Sequence, residues 1–300
     1  MSEITAVVLT FNEEIHLERC LQSIGLLTNK IVVVDSFSTD STVEICKKFN
    51  VTLLQKTWEN NHAKQFNWAL SQLPDNTQWV LRVDADEVLT DELVEEIKSR
   101  LPSMQDGVNG VNFIRKITFQ RKLICYGGVG NNIVTRLFRY GYGQSQSHWM
   151  DEHIGIKGDV VSFSGSMIDD NLNTLTWWTA KHNNYASREA LELLIIQYPE
   201  LRGEGSFMAK DSEQLRPKRW IKEVIYSRLP SGVRSFMYFL YRYILLFGFL
   251  DGAKGFQFHF LQGFWYRYLV DAKVSEVFDC AQRDRVSVKE AVRRVLGIAL

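Results

Sequence analysis

The sequence predicts an α/β fold, a parallel sheet over roughly the first hundred residues followed by a mixed or antiparallel extension. Three observations carry this. Short runs of strand-forming residues alternate with segments of helical spacing, the mark of βαβ units. Three of the runs end in polar residues, as strands do when their carboxyl ends open on a ligand crevice. Beyond residue 101, longer strand-like runs separated by glycine turns replace the alternation.

Residues 4–9 (ITAVVL) form the first predicted strand, and Thr10-Phe11-Asn12-Glu13-Glu14 breaks it. Ile15, Leu17, Leu21 and Ile24 recur at helical spacing. Residues 30–34 (KIVVV) are a second strand ending on Asp35, and residues 36–40 turn into a helix that Asp40 or Ser41 can N-cap, running to Phe49. A third strand at 51–55, a helix at 63–73 stopped by Pro74-Asp75, and a fourth strand at 79–83 follow. The fourth strand delivers Asp84, Asp86 and Glu87 at its end. A helix at 91–101 opens with acids. Residues 108–119, 133–139 and 160–163 read as strands, and 175–198 as a long helix. Crossovers between the parallel strands are expected to be right-handed.

The 35 Lys and Arg balance the 35 Asp and Glu, but unevenly. Residues 216–300 hold 15 basic and 7 acidic side chains, about +8, and the first 215 residues about −8. The four cysteines make no C-x-x-C pair, so neither a zinc knuckle nor a disulfide framework is expected. No basic stretch followed by an apolar run opens the chain, so no signal peptide is expected. No Gly-x-Gly-x-x-Gly or Walker glycine loop follows the first strand, which removes the usual dinucleotide and P-loop readings.

Thr10-Phe11-Asn12-Glu13-Glu14, Val34-Asp35-Ser36-x-Ser38-Thr39-Asp40, Gln65-x-Asn67-x-Ala69-Leu70 and Asp84-Ala85-Asp86 occur in an order and spacing that resembles the family 2 glycosyltransferases. The resemblance implies the GT-A fold, a Rossmann-like mixed sheet of nucleotide-diphospho-sugar transferases. More narrowly, the chain looks like the branch containing lipopolysaccharide-core β-1,4-glucosyltransferases. Where that branch carries a His-Glu pair and a Lys-x-x-x-Tyr-Ala helix, this chain has Asp151-Glu152 and residues 181–186. The tail segment Gly248-Phe249-Leu250-Asp251-Gly252 also resembles related bacterial transferases. Two departures stand out: Phe37 sits where the family usually has Gly or Asp, and Asp151 where the branch often has His.

The resemblance implies a UDP-sugar donor held by Thr10, Phe11, Glu13, Asp35, Lys64, Asp84, Ala85 and Asp86. Asp35 would accept the uracil N3 proton; its turn also reads as an ordinary helix-capping segment. Glu14 reads as a first-turn acid favoured by the helix dipole. Asp84 would reach ribose or metal waters and Asp86 the metal, Mg²⁺ or Mn²⁺, since hard cations take oxygen ligands and leave room for phosphate. The base that takes the acceptor proton is expected to be Glu152 or Asp151; an adjacent surface pair is the plain alternative. Trp177 and Trp178 either stack on acceptor sugar or pack their own helix.

The tail carries a separate signal. Residues 235–250 (SFMYFLYRYILLFGFL) are apolar on nearly every side with Arg242 their only charge, too few to cross a bilayer, which takes about 20. Residues 256–270 add a second aromatic stretch, and basic residues 216–234 precede both. This reads as an in-plane membrane anchor or, alternatively, a buried helix pair or oligomer interface.

The expected organisation is thus a catalytic domain over 1–205 and a helical, basic and aromatic extension over 206–300. The expected function is inverting hexosyl transfer from a UDP-sugar to a lipid-linked or lipopolysaccharide acceptor. The enzyme would be cytoplasmic, peripheral on the inner leaflet of the inner membrane, with no nucleic-acid partner. The rivals are a nucleotidyltransferase, which usually needs a glycine-rich first loop, and a non-catalytic membrane scaffold, which would not need the carboxylates.

Overall fold

The computed structural model describes residues 3–59, 61–130, 132–146, 153–201 and 231–298. The chain divides into two compact units. The first holds Met1–Cys125, Val129–Ser147 and Glu152–Asn173; the second holds Tyr126–Gly128 and Thr174–Leu300.

The first unit is α/β, as predicted. Strands β1 (Ile4–Thr10), β2 (Ile31–Asp35), β3 (Thr52–Gln55) and β4 (Trp79–Asp84) pair in parallel in the order β3-β2-β1-β4. Helices α1 (Leu17–Gly25), α2 (Thr42–Lys48) and α3 (His62–Ser71) make the crossovers. β8 (Asn132–Arg139) joins β4 antiparallel, and β6 (Val108–Phe119) joins β8 antiparallel. β11 (Asp159–Asp169) runs parallel to β6, and β5 (Glu87–Leu89) antiparallel to β11. β7 (Lys122–Ile124) hangs on β6, completing a nine-stranded mixed sheet. β9 (Gly143–Ser145) and β10 (Ile154–Ile156) form a separate antiparallel pair.

Both faces of the sheet are covered, because successive side chains on a strand point to opposite faces. Ala6, Val8, Leu81 and Val83 pack with Leu17, Leu21 and Ile24 of α1 and with Leu93 and Ile97 of α4 (Asp91–Arg100). Val7, Val34 and Val80 pack with Phe66, Ala69 and Leu70 of α3 on the other face. This two-sided burial is why the parallel strands read as unbroken apolar runs.

β11 is much longer than the 160–163 stretch expected. Its second half alternates small polar residues with Met167, which hides the strand pattern. The three-residue strands β5, β7, β9 and β10 are too short to show a period.

The second unit is helical. α5 (Leu175–Gln197) packs Leu191 and Leu194 against Val277 and Cys280 of the helix Tyr266–Asp284 and Val292 of the last helix, Val288–Leu296. That shared core places the unit boundary at Thr174, upstream of the 205/206 division drawn from composition. Ser231–Leu240 continues through a π-turn at Tyr241–Leu245, and Gly252–Phe258 continues through another at His259–Trp265. The two segments bend by 73° at a break after Leu245.

Candidate active site

Register puts three strand ends side by side. Thr10 on β1 lies opposite Asp35 on β2, and Leu9 lies opposite Asp84 on β4. The loops that leave these ends are then stitched together. The Asn12 amide donates to Ser38 Oγ (2.8 Å), and the Thr39 amide donates to Asn12 Oδ1 (2.8 Å). The Glu13 amide donates to Thr42 Oγ1 (2.8 Å) and the Glu14 amide to Asp40 Oδ2 (3.1 Å). Glu14 returns its carboxylate to the Ser41 amide (3.0 Å). Asp40 also accepts from the Thr42 amide and hydroxyl, so Asp40 rather than Ser41 dresses the start of α2. Several donors on one group hold the Asp40 carboxyl below its ordinary range despite partial burial.

Asp35 is fully buried. Its oxygens accept from the Thr10 hydroxyl (3.3 Å), the Ser38 amide (2.9 Å), the Ser38 hydroxyl and the Gln55 side chain (3.2 Å). The structure thus places Asp35 at the expected strand end, where it fixes the Ser36–Phe37–Ser38 turn. Phe37 at the tip has φ +62°, a conformation that suits glycine, and its ring is exposed, as is that of Phe11. Two aromatic faces therefore border the cradle. Gln65 donates to Ser36 Oγ and to Lys56 O (both 3.2 Å). Asn67 exchanges two hydrogen bonds with the Ser145 backbone (2.9 Å each). These two polar residues of α3 hold loops in place. Lys64 is exposed, with its ammonium 3.6 Å from Glu59.

Glu13 is engaged by a buried histidine. His16 Nε2 accepts from the Leu172 amide (2.9 Å), so the ring proton sits on Nδ1 and is donated to Glu13 Oε2 (2.6 Å). This ties the first loop to the segment after β11.

The Asp84–Glu87 turn is the electrostatic centre. Arg136 on β8, 5% exposed, spans Asp84 Oδ2 (2.7 Å) and Glu87 Oε1 (2.6 Å). Arg82 lies 3.5 Å from Asp84 Oδ1, and the other Glu87 oxygen accepts from the Asp84 amide (2.9 Å). Burial alone would raise the Asp84 pKa; Arg136 and Arg82 outweigh it and hold that carboxyl far below its ordinary range. Glu87, grouped with the site acids in sequence, is buried in this pairing. Asp86 is held differently. The Asp170 amide donates to its carbonyl (3.0 Å) and Asn171 Nδ2 to its Oδ2 (3.0 Å). Asp170 is itself bound by Arg19 and Thr118. Asp169 stands beside Asp86, and burial with that neighbouring charge pushes its carboxyl up to about 8. Ala85, buried, lets the turn fold tightly between the two acids.

Sequence reasoning missed Arg136, His16 and the Asp169-Asp170-Asn171 run. The run follows a strand whose second half was unreadable. The other two are single residues, without a spacing pattern to flag them.

Among the described residues, no group of three or more His, Cys, Asp and Glu is placed to enclose a metal ion. Mg²⁺ at phosphate sites needs less, one or two carboxylates with water and phosphate oxygens completing its shell. Asp86 fits that open donor set better than Asp84, whose two oxygens both face guanidinium groups. Asp151 and Glu152, the expected base, lie outside the described residues. On α5, Lys181 lies over the rings of Trp177 (4.6 Å) and Tyr185 (5.8 Å), and Trp178 stacks on His182.

Residues 5–128 match the family model described as glycosyl transferase family 2. Residues 5–128 thus carry a domain of that family, within the nine-stranded mixed sheet; a helical C-terminal region follows, and the chain has glycosyltransferase homologues. An uncharacterized glycosyltransferase of Rickettsia typhi is 37% identical over 98 residues, 33% of this chain and 32% of that one. Another, of Rickettsia prowazekii, is 28% identical over 211 residues, 65% of this chain and 69% of that one. The first match thus spans about a third of its relative's length. Among solved structures, glucosyl-3-phosphoglycerate synthase from Mycobacterium tuberculosis in complex with Mn²⁺, UDP and phosphoglyceric acid aligns at 19% identity. That alignment covers 38% of this chain and 43% of that one, with a TM-score of 0.33.

Proposed function

We propose that the protein is an inverting hexosyltransferase that uses a UDP-sugar and a lipid-linked acceptor, such as a lipopolysaccharide or polysaccharide precursor, at the inner leaflet. The observation that carries the transfer reading is the register of Thr10, Asp35 and Asp84 at adjacent strand ends, inside a family 2 domain. Asp35 holds the turn against which the nucleobase rests, with Phe11 and Phe37 as its aromatic borders. Arg136 and Arg82 fix Asp84 in its ionised form toward the ribose side, and Asn171 orients Asp86 toward the diphosphate. A divalent cation bound by Asp86 would neutralise charge on the departing UDP. Glu152, or Asp151 beside it, takes the proton from the acceptor hydroxyl. That hydroxyl attacks the anomeric carbon from the face opposite UDP, so one displacement turns an α-donor into a β-product.

The test uses the full chain, a labelled UDP-hexose and Mn²⁺. Asp86→Ala should lose both metal-dependent UDP binding and donor turnover with little change in its thermal midpoint, since Asp86 is half-buried and gives up one side-chain hydrogen bond, from Asn171. Glu152→Gln should keep UDP binding and lose about 10²-fold or more in turnover. Asp151→Asn behaving that way instead would swap the two roles. Normal turnover in Asp86→Ala would overturn the metal assignment, and no UDP-sugar binding in the parent protein would overturn the reading itself.

A further inference from the structure

The segment from Val233 to Phe260 has its polarity turned inside out. Its exposed side chains include Val233, Phe236, Met237, Tyr241, Ile244, Leu245, Phe247, Phe249, Leu250, Phe256 and Phe260. Leu245 is 66% exposed and Phe247 56%, values ordinary for lysine rather than leucine. Three polar residues point the other way, while Lys254 and Gln257 stay near the surface and bond to each other (3.3 Å). Arg242 is 5% exposed and donates to Gly127 O (2.9 Å) and Gln262 Oε1 (3.1 Å). Asp251 is 4% exposed and accepts from the Tyr126 amide (3.0 Å). His259 has no exposed surface. At the near end, Arg234 is committed to Asp271 through its Nε (2.8 Å) and a second nitrogen.

The geometry explains how both sides coexist. The two segments fold back on each other across the break at Leu246 and Phe247, where φ of +59° turns the chain. Ring contacts run along the seam: Phe236 on Phe264, Phe239 on Phe256 and Phe260, Tyr243 on Phe249 and Phe256. The inner side closes on the Tyr126–Gly128 turn, with the Gly127 amide donating to Leu246 O (2.8 Å). Glycine is required at that contact. A Cβ on Gly127 would lie 2.1 Å from the His259 ring, and one on Gly248 would lie 2.6 Å from it. The hairpin is thus a paddle with a polar inner side, on which Arg242 and Asp251 find hydrogen-bond partners, and an apolar, aromatic outer side.

We infer that this paddle docks on a lipid bilayer, seating its aromatic side at the headgroup–acyl boundary by apolar burial rather than by charge. The inference rests on the membrane-borne acceptor proposed above, and it departs from an electrostatic anchor. Three observations favour lipid over a protein partner. The large exposed side chains of the segment are aliphatic or aromatic, and near the surface only Arg234, held by Asp271, and Lys254, bonded to Gln257 (3.3 Å), carry charge, so the polar rim that protein interfaces use is sparse. The apolar side chains line both arms and the bend rather than one groove-shaped strip. Neither arm is long and apolar enough to cross a bilayer, yet the bent pair together has the hydropathy of a membrane segment, as in-plane elements do.

The test is flotation of the full-length chain with neutral phosphatidylcholine vesicles and with vesicles that also carry an anionic lipid. Salt is raised from about 0.1 M to about 1 M, which cuts the screening length from about 10 Å to about 3 Å. The inference expects binding to neutral vesicles that survives high salt. Ile244→Asp/Leu245→Asp should lower partitioning about tenfold or more with circular dichroism unchanged, while Leu245→Phe retains it. A fluorophore on Leu250→Cys, in a Cys125→Ser background, should shift to the blue and be quenched by lipid-borne quenchers, which reads docking even if the aspartates disturb folding. Binding that requires anionic lipid, or that is lost at high salt, would overturn the inference, as would aspartate variants that float like the parent. A dimer that the aspartates dissociate, with no lipid binding, would assign the face to a second copy of the chain. Donor hydrolysis measured without lipid separates each of these outcomes from failure of the transferase reading.

Discussion

The turn at Asp84–Glu87 and the hairpin around Leu245 break the same rule in opposite directions. At the turn, charge is inside: Arg82 and Arg136 are 4% and 5% exposed and Glu87 is 1% exposed. At the hairpin, hydrocarbon is outside. Burying charges is tolerated only where each finds a partner, because an unpaired one costs several kcal/mol. Exposing large apolar side chains in a contiguous patch is likewise unusual for a surface that meets only water. Each exception thus marks a place where folding stability was not the only demand. In the first unit the ion network holds Asp84 at a fixed position. In the second, the polar groups folded inward leave an apolar face on the outside.

The sharpest way to break the comparison is to remove the bridge in the charged region. Arg136→Met should leave Asp84 with Arg82 alone and Glu87 with the more distant Arg115 (3.7 Å), and cost about 3–5 kcal/mol, read by urea unfolding. Adding Glu87→Leu should recover part of that stability, yet turnover should stay low because Asp84 still lacks its closer guanidinium. A double variant with normal turnover would show that the network serves stability alone.

A second test probes the hairpin, with a glycine outside both regions as its reference. Gly127 and Gly141 both have positive φ, +73° and +84°. A Cβ at Gly127 meets the His259 ring, whereas one at Gly141 meets nothing within 4 Å. Gly141→Ala should therefore cost only backbone strain, about 1 kcal/mol. Gly127→Ala should cost that plus displacement of the ring, about 1–3 kcal/mol more, and should expose the hairpin to limited proteolysis. Equal costs would mean that the ring moves away freely.

A further test concerns Asp169, measured without metal. Its folded carboxyl titrates at about 8, above the unfolded value of about 3.9. Its contribution is complete below pH 4 and is lost as pH rises through 8, because the folded state holds the proton longer. Asp169→Asn keeps the neutral form throughout. Its thermal midpoint relative to the parent should therefore climb steadily from pH 4 to pH 8; a flat difference would show that Asp169 does not titrate there.

The sequence by itself determined the parallel half of the sheet. Runs such as Val7-Val8-Leu9 and Val32-Val33-Val34 are buried on both faces, so composition alone marks them, and the residues that end each run mark the crevice. It also marked the tail as apolar and too short to span, since both follow from composition and length. What only the tertiary structure decided depends on pairs distant in the chain. Arg136 reaches Asp84 across 52 positions, His16 meets Leu172 across 156, and Gly127 makes room for His259. None of these leaves a periodic trace, because each partner is chosen by strand register or helix packing rather than by local spacing. The two sides of the hairpin were hidden for the same reason. A segment apolar nearly all round does not show which face lies outward until three of its polar residues, Arg242, Asp251 and His259, are seen turned inward.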